Sequence, residues 1–142
     1  MQFAACNEMF LPHPFGEAFA ALRELGYDGV EIAPFTFLPD ATPFNVRNVP
    51  AERRREVRQQ AADAGLEVVG LHWLLAKTSG YYLTSPDPAV RSATSEYLRE
   101  LARLCGDLGG RVMVLGSPQQ RNLLPEACPA GARRAAMRAG GD

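Results

Sequence analysis

Polar side chains that can grip a small ligand recur at one kind of place in this sequence, the exit of a short apolar run. Asn7 and Glu8 follow Phe3-Ala4-Ala5-Cys6. Glu31 sits within Val30-Glu31-Ile32, with Pro34 just beyond. His72 and Trp73 end Val68-Val69-Gly70-Leu71, and Ser117, Gln119, Arg121 and Asn122 follow Val112-Met113-Val114-Leu115. These side chains supply hydrogen-bond donors and acceptors, one imidazole and one indole face. Arg121 suits a phosphate or a carboxylate. The layout is that of a pocket for a small polar ligand. Phosphate cradles are missing: Asn7-Glu8-Met9-Phe10-Leu11-Pro12 is no GxGxxG turn, and no Walker-type lysine loop occurs.

The elements that must position these residues share one grammar, in which a helical run ends at a glycine and an apolar strand follows at once. The copies are Leu25-Gly26-Tyr27-Asp28-Gly29-Val30-Glu31-Ile32, Ala64-Gly65-Leu66-Glu67-Val68-Val69-Gly70-Leu71 and Leu108-Gly109-Gly110-Arg111-Val112-Met113-Val114-Leu115. Glycine takes the left-handed cap of a helix without a Cβ penalty. The runs behind the glycines read as strands buried on both faces. With a first strand over Phe3 to Met9, this predicts four parallel strands and an α/β fold.

Helices are expected over Phe15 to Leu25, Ala51 to Ala64 and Ala89 to Leu108. Their inward positions are Phe15, Ala18, Phe19, Leu22 and Leu25, then Val57, Ala61 and Ala64, then Tyr97, Leu98, Leu101, Leu104, Cys105 and Leu108. Ser85-Pro86-Asp87-Pro88 is a helix-start signal, and Pro50 opens the second helix. Pro34 to Pro50 is a long loop with Phe35, Phe37 and Phe44, read as a wall or lid, or as a loop its aromatics simply anchor. From Leu123 the chain turns Ala/Arg/Gly-rich. A weakly packed tail over 125–142 is expected, with a short helix over Ala130 to Ala139.

Composition narrows the function classes. A formal net charge of -1 over 142 residues gives no basic surface for nucleic acid or anionic membrane. Arg53-Arg54-Arg55 and Arg58 read as the solvated face of a helix. The three cysteines, Cys6, Cys105 and Cys128, are odd in number and lack CxxC spacing. Cys6 and Cys105 are read as small buried hydrophobes. Reduced thiols and the lack of a signal-peptide layout point to the cytoplasm. No apolar run approaches the roughly 20 residues of a bilayer span.

Cys6-Asn7-Glu8-Met9-Phe10, Gly26-Tyr27-Asp28-Gly29-Val30-Glu31-Ile32, Gly70-Leu71-His72-Trp73 and Val114-Leu115-Gly116-Ser117-Pro118 resemble the xylose isomerase-like TIM barrels. Within them they look most like the sugar phosphate isomerases and epimerases, a group with tagatose 3-epimerase-like and hydroxypyruvate isomerase-like members. The resemblance covers about residues 3 to 124 and implies the N-terminal half of a (β/α)8 barrel, four parallel strands with three to four helices. It implies a sugar or sugar phosphate as substrate. It also implies proton movement beside a carbonyl, with a divalent ion (Mn2+, Mg2+ or Co2+) stabilising an enediolate. The family's Glu, Asp, His and Glu ligands come from later strands. The resemblance therefore assigns no metal ligand and no catalytic residue within this chain, and none of those ions is expected to be held by this chain alone.

What the resemblance carries over is one wall of the substrate site. His72 would stand near the substrate, or be a satisfied structural histidine. Asn7 and Glu8 would contact sugar hydroxyls, or cap the strand end. Glu31 would line the barrel floor. Trp73, Phe35 and Phe37 would face sugar carbons, or pack the core. Ser117, Gln119 and Arg121 would contact polar substrate groups, with solvent the default for the arginine. The alternative function is a non-catalytic half-barrel that self-associates through its edges or binds a small polar ligand. An endonuclease IV-like repair enzyme needs several strand-end histidines, and His13 lies in the first loop.

Overall fold

A computed structural model describes residues 1–124. Cys128 and the expected tail and helix beyond residue 124 lie outside the described residues. The first strand, β1, spans Ala4–Cys6, and a 3-10 turn over Asn7–Phe10 replaces the rest of the expected strand. Helix α1 covers Phe15–Glu24, β2 Gly29–Ile32, α2 Ala51–Asp63, β3 Glu67–His72, α3 Pro88–Asp107 and β4 Val112–Val114. Gly26, Gly65 and Gly109 stand just past the three helices at φ of 86°, 71° and 84°, the left-handed cap their sequence motif predicts. Asp87 caps α3, its carboxylate accepting from the Ala89 N–H at 2.8 Å.

All four strands are parallel, in the order β1-β2-β3-β4. Each crossover advances one strand in one direction. A doubly wound sheet reverses that direction at its switch point, whereas a barrel wall does not. The helices follow in the same sense, with α2 against both α1 and α3. Phe19, Leu22, Val30, Ile32, Val57, Leu71, Tyr97, Leu101 and Leu104 are buried between sheet and helices.

Burial on both strand faces holds for the centre of the sheet and fails at its margins. Val112 and Val114 of β4 are 45% and 43% exposed, and Ala4 of β1 is exposed. These two strands have a neighbour on one side only.

The loop after β2 is no detached lid. Phe35, Phe37 and Phe44 are all buried, and the Phe37 ring lies 5.1 Å from that of Phe15. The Tyr97 hydroxyl accepts from the Val46 N–H at 3.1 Å. Arg54 departs from the solvated face expected of α2. Its guanidinium donates to the carbonyls of Val49 and Val46 and pairs with Asp107 at 2.9 Å, joining that loop and α2 to the end of α3.

Candidate functional site

At the C-terminal ends of β1, β2 and β3, four side chains meet. Cys6 and Glu31 are register partners on adjacent strands. Between Val30 and Glu31 the pairing with β3 shifts, so that Val30 faces Val68 while Glu31 faces Gly70. Such irregularities re-aim side chains beside functional sites. Gly70 adds no side chain next to Glu31, and His72, two residues on, shares its face of β3. The gap over β2 is thereby closed by side chains. Cys6 Sγ lies 3.0 Å from His72 Nδ1 and 3.6 Å from Glu31 Oε2, and Glu31 Oε2 lies 3.9 Å from Nδ1. On the other edge of the imidazole, Nε2 contacts the Glu8 carboxylate. An ionised carboxylate only accepts, so Nε2 carries the proton there, and Nδ1 shares with Glu31 Oε2 the single proton of the Cys6 thiol.

Gly70 also fixes the sheet. A Cβ there would lie 1.8 Å from the Val112 carbonyl oxygen, so only glycine lets β3 and β4 approach this closely.

The carboxylates act on each other through this cluster. Burial pushes the Glu8 carboxyl above its usual range, His72 opposes that rise and Glu31 adds to it. The Cys6 thiol is pushed up to about 12, first by burial, then by the charge of Glu31 and its hydrogen bond, then by Glu8. Cys6 is therefore a protonated thiol in this environment, and its polar partners Glu31 and His72 set it apart from a filler of the apolar core. Cys105, 4% exposed, fits the hydrophobe reading, and its thiol donates to the Val112 carbonyl at 3.5 Å.

The remaining predicted site residues divide into three groups. Asn7 is 4% exposed and its amide is engaged at both ends, Oδ1 accepting from the Ala33 N–H at 2.9 Å and Nδ2 donating to Thr36 Oγ1 at 2.8 Å. That is the capping role, tying the end of β1 to the chain leaving β2. Trp73, Ser117 and Gln119 line a cleft of about 420 Å³ together with Lys77, Gly116 and Gln120. Within it, buried Ser117 accepts from the Leu75 N–H at 3.0 Å, while Gln119 is exposed. Arg121 is exposed and does not line the cleft.

Trp73 joins the cluster to the cleft. Its ring centroid is 6.0 Å from that of His72 and 6.3 Å from buried Phe35. Trp73 and Lys77 are the non-glycine residues with positive φ among the described residues, at 52° and 56°. Left-handed backbone at non-glycine positions costs on the order of 1 kcal/mol and gathers at ligand-handling sites. The Lys77 ammonium lies 4.5 Å from the centroid of the Phe35 ring.

Sequence reasoning missed Cys6 and Lys77 as parts of this surface. Cys6 immediately precedes Asn7 and Glu8 at the end of β1, which was a usable signal. Lys77 stands in the loop just past His72 and Trp73, with nothing in its spacing to mark it.

Cys6, Glu31 and His72 are the one group of ligating residues close enough to hold an ion among the described residues. They do not fit the hard, oxygen-rich site that Mn2+ or Mg2+ prefers, because a thiol is a soft ligand. No step of the family's metal chemistry is therefore derived through them.

No curated protein matches the chain in sequence. Among solved structures, D-psicose 3-epimerase, determined in the presence of D-fructose, superposes with a TM-score of 0.62 at 17% identity, over 80% of this chain and 36% of that one. The 3-keto-D-glucoside 4-epimerase from E. coli gives 0.60 at 16% identity, over 98% of this chain and 50% of that one. A fusion of a xylose isomerase-like TIM barrel with 4-hydroxyphenylpyruvate dioxygenase gives 0.57 at 20% identity, over 98% and 21%. The chain thus spans half or less of the length of these relatives, and at such identities the likeness is one of fold. The sequence description of one family matches residues 19–139. With four parallel strands in sequential order and polar side chains gathered at their C-terminal ends, the chain belongs to the xylose isomerase-like TIM barrel family.

Proposed function

We propose that this chain forms the first wall of a cytoplasmic sugar or sugar phosphate isomerase or epimerase. In this reading the exits of β1 to β4 bind a small hydroxy-carbonyl compound. One observation carries it: Glu8, Glu31 and His72 converge at adjacent parallel strand ends, next to the cleft under Trp73. Strand C-termini are where barrels of this kind do their chemistry. Glu8 and Glu31, each part exposed, offer carboxylate oxygens to sugar hydroxyls. His72 has both ring nitrogens engaged, so it orients Glu8 while contributing little direct contact. Trp73 supplies an apolar face for sugar carbons, and Lys77 and Gln119 polar groups at the cleft rim.

In a relative that completes the barrel, the divalent ion supplies polarisation of the carbonyl from ligands on later strands. Residues 1–124 bind and orient; they do not carry the family's paired acid and base. Saturation-transfer NMR of the purified chain with ketoses, ketose phosphates and polyols tests this. The expected result is saturable ketose binding with no epimer formed on adding Mn2+ or Mg2+. Failure of every ketose to bind would overturn the reading, and brisk epimerisation by this chain would overturn its binding-only role.

A second reading is favoured by the exposed apolar residues Val112 and Val114 of β4 and Leu115 just past it. They suit self-association of half-barrels through the sheet margin. Sedimentation that shows only monomer at high concentration would remove it.

A further inference from the structure

Three strands each deliver one metal-ligating atom to one spot. Cys6 Sγ, Glu31 Oε2 and His72 Nδ1 form a triangle with edges of 3.0, 3.6 and 3.9 Å. Tetrahedral bonds of about 2.0–2.3 Å to Zn2+ separate neighbouring ligand atoms by roughly 3.3–3.8 Å, a span the three edges straddle by about 0.1–0.3 Å at either end. A point equidistant from the three atoms lies about 2.1 Å from each, within that range of bond lengths. We infer that Cys6, Glu31 and His72 bind one zinc ion, leaving the fourth position to water.

The donor chemistry selects the metal. A thiolate, an imidazole and a carboxylate suit zinc, whereas Mg2+ and Mn2+ favour oxygen ligands. The outer shell is already in place. Metal-bound histidines commonly pass their other N–H to a carboxylate, which fixes tautomer and ring orientation. Glu8 accepts the Nε2 proton here, so the Nδ1 lone pair faces Cys6 and Glu31. Glu8 is thus a positioning residue for the site. Gly70 keeps space open beside Glu31, and the irregular pairing at Val30 and Glu31 sets the carboxylate opposite that glycine. Binding releases the Cys6 proton to solvent. The site runs counter to the expectation that this chain holds no ion, differs from the Glu, Asp, His and Glu set of the later strands, and does not depend on sugar binding.

The test is zinc titration of the metal-stripped full chain against a chromogenic chelator, with native mass spectrometry for stoichiometry and Co2+ as spectroscopic substitute. One zinc per chain is expected, with a thiolate-to-cobalt charge-transfer band in the near ultraviolet. Cys6→Ser should abolish the band and weaken zinc binding at least tenfold, whereas Cys105→Ser and Cys128→Ser should keep both. Glu8→Ala should keep the stoichiometry while weakening affinity about 10- to 100-fold. Should Cys6→Ser unfold, wild-type protein still decides: zinc, and not Mg2+, should shield Cys6 from the slow alkylation that long exposure of the metal-free chain to iodoacetamide produces. Substoichiometric zinc, a cobalt spectrum without the thiolate band, full binding by Cys6→Ser, or an unshielded Cys6 would each overturn the site.

Discussion

Cys6 Sγ lies 3.0 Å from His72 Nδ1 although β2 runs between their strands. Two side chains can meet across an intervening strand only if that strand yields the space above it. Glu31 does so by leaning into the same cluster, and Gly70, opposite it, adds nothing to crowd them. The junction sits at the strand ends, where a barrel offers its substrate face.

Cys6 should be a slow nucleophile in the metal-free protein. With its pKa near 12, only a trace of thiolate forms at pH 8, against a free cysteine near 8.5. Alkylation followed by peptide mass spectrometry should find Cys6 slower in the folded chain than in urea. Glu31→Gln removes the second-largest cause of the shift and should speed the reaction.

Gly70→Ala should detach β4 from the sheet. The added Cβ meets the Val112 carbonyl at 1.8 Å, a backbone contact that no rotamer relieves. Overpacking of this kind costs about 1–3 kcal/mol or more. Urea denaturation should show a loss of that size, or no cooperative transition at all.

Tyr97→Phe should strand the buried Val46 N–H, at a cost of about 1–3 kcal/mol. The phenol itself couples stability to alkaline pH. Burial, opposed by the Val46 hydrogen bond, lifts its pKa from 10.0 to about 12. The folded state therefore holds a proton that the unfolded chain releases above pH 10. The stabilisation is complete below pH 10 and is lost as pH rises to about 12, a fall of about 2–3 kcal/mol from this group. Chemical denaturation at pH 9 and pH 11 should show a smaller fall in Tyr97→Phe than in wild type.

Arg54 and Arg55 should behave differently despite being neighbours. Arg54 makes three bonds between the loop after β2, α2 and α3, whereas Arg55 pairs only with Glu52 on the surface. Arg54→Ala should cost about 1–3 kcal/mol, and Arg55→Ala less than about 0.5 kcal/mol. Equal losses would contradict the assignment of Arg54 as the residue that joins the loop after β2, α2 and α3.

Local chemistry made the fold legible. The glycine caps at Gly26, Gly65 and Gly109, the Asp87 cap and the apolar stripes of α1 and α3 stand where spacing puts them, except that Leu25, at the cap of α1, is 68% exposed because the helix has ended and the chain turns away there. Strand order and the exposure of β4 depend on long-range pairing, which no window of sequence encodes. The site was legible in outline, because Glu8, Glu31 and His72 are polar at strand exits. A cysteine within an apolar run looks like core; the place of Cys6 is set by one carboxylate and one imidazole brought from strands 25 and 66 residues away, and by Glu8 in the turn that follows it. Arg54 was misread for the same reason, as its partners lie on other elements. The loop phenylalanines leave wall, lid and anchored loop open, and their destination in the core follows from the contacts of this loop with Phe15 and Tyr97, not from its own sequence.

Trp73 is the single tryptophan, half exposed at the rim of the cleft and next to His72. Its fluorescence is therefore a direct reporter of the strand-end surface. Titration with ketoses should produce a saturable change in Trp73 emission, weakened by Glu8→Gln and Glu31→Gln with the fold intact by circular dichroism. An emission that stays constant while ligand-observed NMR detects ketose binding would put the sugar elsewhere on the molecule and contradict the assignment of this wall.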